Sequence, residues 1–146
     1  MNKTSAGILL FRRTAQGLEV LIVHPGGPFF AKKDAGAWSI PKGESADGED
    51  LNNTARREFH EELGFEAHGE MIPLGQVQFK SGKTVHAWAV DGSNTAIDLA
   101  NIKSNTFQLQ WPPRSGRMRE FPEVDRAALI PVEEAQWRGL VASMRN

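Results

Sequence analysis

Apolar residues come in short runs near the start of the chain. Residues 5–11 form one run and residues 18–24 a second, split by the polar, glycine-containing stretch 12–17. Two such runs predict a β-hairpin or two neighbouring strands. Residues 24–36 show no period, are rich in Gly and Pro, and carry Lys32 and Lys33. Loops this long inside a compact domain are often functional. Residues 37–41 read as a short strand-like piece. From Glu49 to Leu63 the period changes, with Leu51, Ala55, Phe59 and Leu63 recurring every four residues. That stripe predicts an amphipathic helix, and Gly64 is a natural stop for it. Beyond it, residues 67–80 and 84–90 read as strands joined at Ser81-Gly82-Lys83. Residues 91–119 read as irregular, around Pro112-Pro113 and Ser115-Gly116. Residues 127–130 predict one more strand, and 131 to about 144 a final helix with Pro131 near its start. Strands mixed with two helices imply an α/β sandwich with a mixed sheet.

At 146 residues the chain is expected to be a single domain, 1–146. Its 40% hydrophobic and 24% charged content is that of an ordinary globular protein. The net charge of −1 shows no basic excess, which argues against duplex nucleic acid as a partner. Small phosphorylated ligands need only a local cluster of cations and stay open. Cysteine is absent, so disulfides, zinc thiolates and thiol nucleophiles are excluded. This fits a cytoplasmic protein. The apolar run ending at Phe11 is too short for a signal peptide or a membrane span. Monomer and homodimer are both compatible with the sequence.

The helix carries an unusual cluster. Glu58, Glu61 and Glu62 sit at i, i+3 and i+4, which stacks three carboxylates on one face. Stability alone would not select such repulsion. A divalent cation cancels it, and hard cations prefer oxygen ligands. The plain alternative is a solvated acidic face, with Arg56 and Arg57 beside Glu61 as ordinary ion-pair partners.

The wider pattern decides between them. Gly43, Glu49, Arg57, Glu58, Phe59, Glu61, Glu62, Gly64 and Phe65 meet every fixed position of the Nudix box, so residues 43–65 resemble the Nudix hydrolase superfamily. Chance agreement is on the order of 10⁻⁹ per start position. The resemblance implies a Nudix-type α/β/α sandwich. It also implies a metal-dependent hydrolase that uses Mg²⁺ or Mn²⁺ to cleave a phosphoanhydride in a nucleoside diphosphate linked to another group. Dinucleoside polyphosphates are the first expectation, nucleoside triphosphates the second. Glu58 and Glu62 are the implied direct metal ligands, with Glu61 contributing and the Gly43 backbone carbonyl a further candidate. Glu58 or Glu61 would serve as general base. Arg57 and Glu49 would pair and orient the glutamates. A nucleotide-binding, regulatory Nudix-fold module without catalysis is the alternative, although such modules usually have an eroded box.

Outside the box, Asp91, Asp98, Glu120, Glu123 and Asp125 are candidates for one more acidic residue. Glu123, just before the last predicted strand, best matches the place used for metal or base chemistry in Nudix diadenosine polyphosphate hydrolases. Lys42, Lys32, Lys33, Arg114, Arg117 and Arg119 are candidates for substrate phosphates, and Trp111 for stacking on a base. Trp88 on a period-2 strand reads as core or sheet surface. His24, His60 and His86 show no spacing that demands a metal.

Overall fold

The computed structural model describes residues 3–32 and 38–137. Two long strands, β1 (Thr4–Thr14) and β2 (Gly17–Pro25), form the predicted hairpin, with Phe11 opposite Val20 and Thr14 opposite Gly17. The two strands then diverge, and the chain that leads into the Nudix-like box fills the gap. Ser39 bridges Val23 with backbone bonds of 2.8 and 3.0 Å. The short strand β3 (Lys42–Glu44) pairs antiparallel with Ser5–Gly7. The predicted strand-like piece at 37–41 is thus only a bridge among the described residues, and the true strand lies inside the box.

Helix α1 (Leu51–Leu63) follows. It begins two residues later than expected, because Glu49 turns back before the helix starts. Gly64 ends it in the left-handed conformation, at φ 84°. Strands β4 (Ile72–Gln78) and β5 (Thr84–Asp91) form the next hairpin. The strand expected from 67 therefore starts only at Ile72. The stretch expected to be irregular holds two short 3₁₀ turns and a two-stranded ribbon, β6 (Thr106–Gln110) with β7 (Met118–Pro122). Strand β8 (Val124–Pro131) is longer than predicted and absorbs Pro131, so α2 (Val132–Trp137) starts one residue after it.

The main sheet runs β4–β5–β1–β2–β8, with β3 attached to β1. Strands β1 and β5 are parallel and the remaining pairs antiparallel, so the sheet is mixed as expected. Side chains alternate across it. Ala6, Ile8, Leu10, Leu21 and Val23 pack with Ala55, Phe59 and Leu63 of α1. Val20, Ile22, Trp38, Ile40, Ala87 and Ile130 form the opposite face, with Val132 of α2 against it. The result is the α/β/α sandwich. Phe59 and Leu63 are fully buried, each contributing roughly 1.5–3 kcal/mol. That apolar stripe fixes the rotation of α1 and so the direction of its glutamates.

Candidate active site

Arg57 is the hub of the site. Its Nε donates to Glu49 Oε2 at 2.8 Å and its Nη2 to Glu49 Oε1 at 3.0 Å. Its Nη1 donates to Glu58 Oε2 at 2.6 Å and to Glu61 Oε2 at 3.0 Å. A fifth bond runs from Nη2 to the Glu44 carbonyl at 3.1 Å. All donor directions of the planar guanidinium are thereby used, which a lysine would not reproduce. Glu49 is itself fixed by the Ala46 N–H at 3.0 Å and the Thr54 hydroxyl at 2.8 Å. The bonds from Arg57, Ala46 and Thr54 hold the Glu49 carboxyl down at about 2, and Glu49 in turn pushes the Arg57 guanidinium well above its usual range.

The other carboxylates behave in the opposite way. Burial, and then the neighbouring Glu61, push Glu58 up to about 7 against the pull of Arg57. Burial, and then Glu58, push Glu62 up to about 8, with Glu123 adding and Lys42 opposing. Glu62 is only 7% exposed. Partial burial and then Glu61 raise Glu123. Lys42 is lowered by burial and by Lys83, while Glu62 opposes the shift. Glu58, Glu61, Glu62, Glu123 and Lys42 thus share one field, although Glu123 is far from the box in sequence.

Gly43 sits against this group. A Cβ on it would overlap the Glu58 carboxylate, and its nearest approach to Glu58 Cγ would be 2.8 Å. Glu58 Oε2 is turned to Arg57, which leaves Oε1 facing Gly43. Among the described residues no three carboxylate or imidazole groups are already gathered around one point. Arg57 holds Glu58 and Glu61 instead. The donor set nevertheless suits a hard divalent cation: oxygen atoms only, and crowded together.

The remaining candidates are more scattered. Lys32, Arg114 and Arg117 are exposed in turns. Arg119 lies over the Phe121 ring at 5.6 Å. Lys33 lies outside the described residues. Trp111 closes the β6–β7 ribbon and meets the exposed Phe29 edge-on at 5.5 Å. His24, unassigned by spacing, is fully buried and bonded to Asp125 Oδ1 at 2.8 Å, so Asp125 is engaged there. Asp91 caps a 3₁₀ turn, and Asp98 bonds the Asn101 side chain. The sequence reading missed Thr54, Glu44 and Phe29. Thr54 was hinted at by its place one turn after Glu49. The Glu44 contact runs through a carbonyl and leaves no mark on residue type. A cleft of about 250 Å³ on the outer side of α1, lined by Arg56, Arg57, His60, Glu66, Ala67 and His68, does not reach Glu58, Glu61 or Glu62.

The family model of the NUDIX domain matches residues 1–145. The chain belongs to the NUDIX family. With its box intact, it is a Nudix-type pyrophosphohydrolase. Nudix enzymes use divalent metal ions, which accords with the oxygen donor set. No curated protein matches the sequence significantly. The fold is similar to that of a Caenorhabditis elegans Ap4A hydrolase in a binary complex, with TM-score 0.65, 19% identity, and 96% of this chain and 89% of that chain covered. It is also similar to the MutT protein from Methanosarcina mazei, with TM-score 0.57, 22% identity and coverage of 92% and 80%. The NUDIX domain of Shewanella oneidensis NrtR, complexed with ADP ribose, aligns with TM-score 0.60, 15% identity and coverage of 98% and 84%. At these identities the neighbours speak for the fold. Among the described residues no helix is long and apolar enough to cross a membrane.

Proposed function

We propose that this Nudix hydrolase cleaves the phosphoanhydride of a dinucleoside polyphosphate, with nucleoside triphosphates as the second substrate class, and that it depends on Mg²⁺ or Mn²⁺. The observation that carries the metal dependence is the crowding of oxygen donors, with the half-buried Glu58 carboxylate set against Gly43 and the buried Glu62 in the same field, raised to about 7 and about 8 chiefly by burial. A cation beside such carboxylates favours their ionised form.

Glu58 and Glu62, with Glu61, Glu123 and the Gly43 carbonyl, would hold the ion. When bound, a divalent ion supplies neutralisation of phosphate oxygens and a lowered pKa for water. Glu58, Glu61 and Glu123 are the candidates to take the proton of the attacking water, since each has an oxygen not committed to Arg57. Arg57 acts as a positioning residue: with Glu49 behind it, it fixes Glu58 and Glu61 before substrate arrives. Lys42, tied to Glu62, is the inner phosphate contact. Lys32, Lys33, Arg114 and Arg117 draw in the outer phosphates of a long chain, and Trp111 with Phe29 offers aromatic surface to a base.

A nucleotide panel with Mg²⁺ or Mn²⁺, run in ¹⁸O-labelled water with product identification, tests this reading. Turnover abolished by Glu62→Gln is the expected result. Nucleotide binding without turnover under any metal would favour the regulatory, non-catalytic reading.

A further inference from the structure

Glu123 reaches the box through main-chain bonds. The N–H of Asn105 donates to the Glu61 carbonyl at 2.7 Å, and the N–H of Glu123 donates to the Asn105 carbonyl at 2.8 Å. Lys103 N–H takes the Leu63 carbonyl at 3.0 Å. The last carbonyls of a helix lack partners within it, and residues 103 and 105 supply them here. The end of α1 therefore fastens the segment that carries the β6–β7 ribbon.

Ser104 completes the fastening. Its Oγ donates to the Asn105 carbonyl at 2.7 Å and accepts from the Val124 N–H at 2.9 Å. A hydroxyl is donor and acceptor at one atom. The N–H of Glu123 and the N–H of Val124 are thus both held by residues 104–105. Val124 is buried, so its N–H would lose its partner without gaining water. Among the described residues the ribbon shares no strand pairing with the main sheet, so its exit into β8 is set by these bonds together with the Gly26 N–H on the Glu123 carbonyl at 2.9 Å.

We propose that Ser104 is a positioning residue for Glu123: its hydroxyl holds the Val124 N–H and the Asn105 carbonyl that receives the Glu123 N–H, and so presents that carboxylate to Glu61 and Glu62. The proposal rests on Glu123 belonging to the metal-dependent site. The experiment compares Ser104→Ala, Ser104→Thr, Glu123→Gln and the double variant Ser104→Ala/Glu123→Gln. It reads kcat and KM on the active nucleotide, Mn²⁺ binding, and amide hydrogen exchange at residues 123 and 124. In Ser104→Ala, exchange at Val124 is expected to rise, Mn²⁺ binding to weaken toward that of Glu123→Gln, and kcat to fall roughly 5–10-fold with KM little changed. Ser104→Thr, which keeps the hydroxyl, restores all three. The double variant turns over no more slowly than Glu123→Gln. An equal loss from Ser104→Ala in both backgrounds would overturn the proposal, because Ser104 would then act independently of Glu123. Unchanged exchange at Val124 would overturn it as well. If the wild type hydrolyses no nucleotide, the proposed function fails, and the clasp is judged by exchange and Mn²⁺ binding alone: both altered supports it, either unaltered refutes it.

Discussion

Gly43→Ala is the sharpest single perturbation of this site, because it adds one methyl and removes nothing. Gly43 is not among the residues with positive φ, so its backbone accepts alanine without strain. The added Cβ would overlap the Glu58 carboxylate and lie 2.8 Å from Glu58 Cγ. Ordinary carbon contacts lie at about 3.5–4.0 Å. The Cγ must therefore retreat by roughly 0.7 Å and the carboxylate by more, on the order of 1 Å or beyond. The obstructing atoms are the free end of a side chain, so the fold yields cheaply. A loss of about 1 kcal/mol, the low end for overpacking, lowers Tm by roughly 2–4 °C at this size. Catalysis does not yield cheaply. Glu58 Oε2 must leave Arg57 or Oε1 must leave its place facing Gly43, and a displacement of about 1 Å costs about 10²-fold in rate. Steady-state turnover and thermal melting of the same preparation test the two halves together. Turnover within about threefold of wild type would refute the close-fit reasoning, as would a large loss of stability with turnover intact.

Arg57→Ala should lower turnover roughly 10–100-fold, and its Tm should fall little because the arginine is 36% exposed and its ion pairs are screened. Arg57→Lys should not restore the rate; recovery there, measured by kcat, would rule out the planar fork as the cause. The metal-free protein should be most stable near pH about 5. Glu49, held at about 2, contributes a stability kept small by solvent screening, present above its ordinary pKa and lost as pH falls toward 2. Glu62, raised to about 8, resists ionisation, so stability declines as pH climbs from its ordinary pKa through 8. Melting curves across this range should lose part of the alkaline decline in Glu62→Gln and on adding Mn²⁺; an identical decline in all three sinks the assignment. Ser5 is 1% exposed and its hydroxyl has no partner among the described residues. Ser5→Ala should therefore stabilise the fold by about 1 kcal/mol, read as a small rise in Tm.

What was legible in the sequence was local. The fourfold spacing of Leu51, Ala55, Phe59 and Leu63 gave α1, because burial of that stripe dominates its environment. The two apolar runs gave the first hairpin for the same reason. Strand β4 lies at the sheet edge with nearly every residue exposed, so no apolar pattern marks where it starts. In β6, Thr106-Phe-Gln-Leu-Gln110 does alternate, yet its partner Met118-Arg-Glu-Phe-Pro122 does not, and the Pro-rich turn between them masked the pairing. In the site, Arg57 and Glu49 stood eight residues apart in a motif and were readable. Lys42 and Glu123 were readable only as candidates, since their approach to Glu62 depends on β3 entering the gap in the sheet and on the fastening at 103–105. Bonds made by backbone groups, such as Glu44 to Arg57 or Asn105 to Glu61, select no particular side chain and so write nothing into the sequence.

The β6–β7 ribbon hangs from the domain without sharing a ladder with the main sheet. Its tip can lengthen, shorten or exchange its aromatic and basic residues without shifting any register in that sheet. On the proposed function, drift there would alter what the protein admits, while the proposed hydrolytic centre at the ribbon's root would be left unchanged. Such an architecture separates the evolution of substrate choice from the upkeep of chemistry, and it makes the ribbon tip the natural place to graft a new specificity.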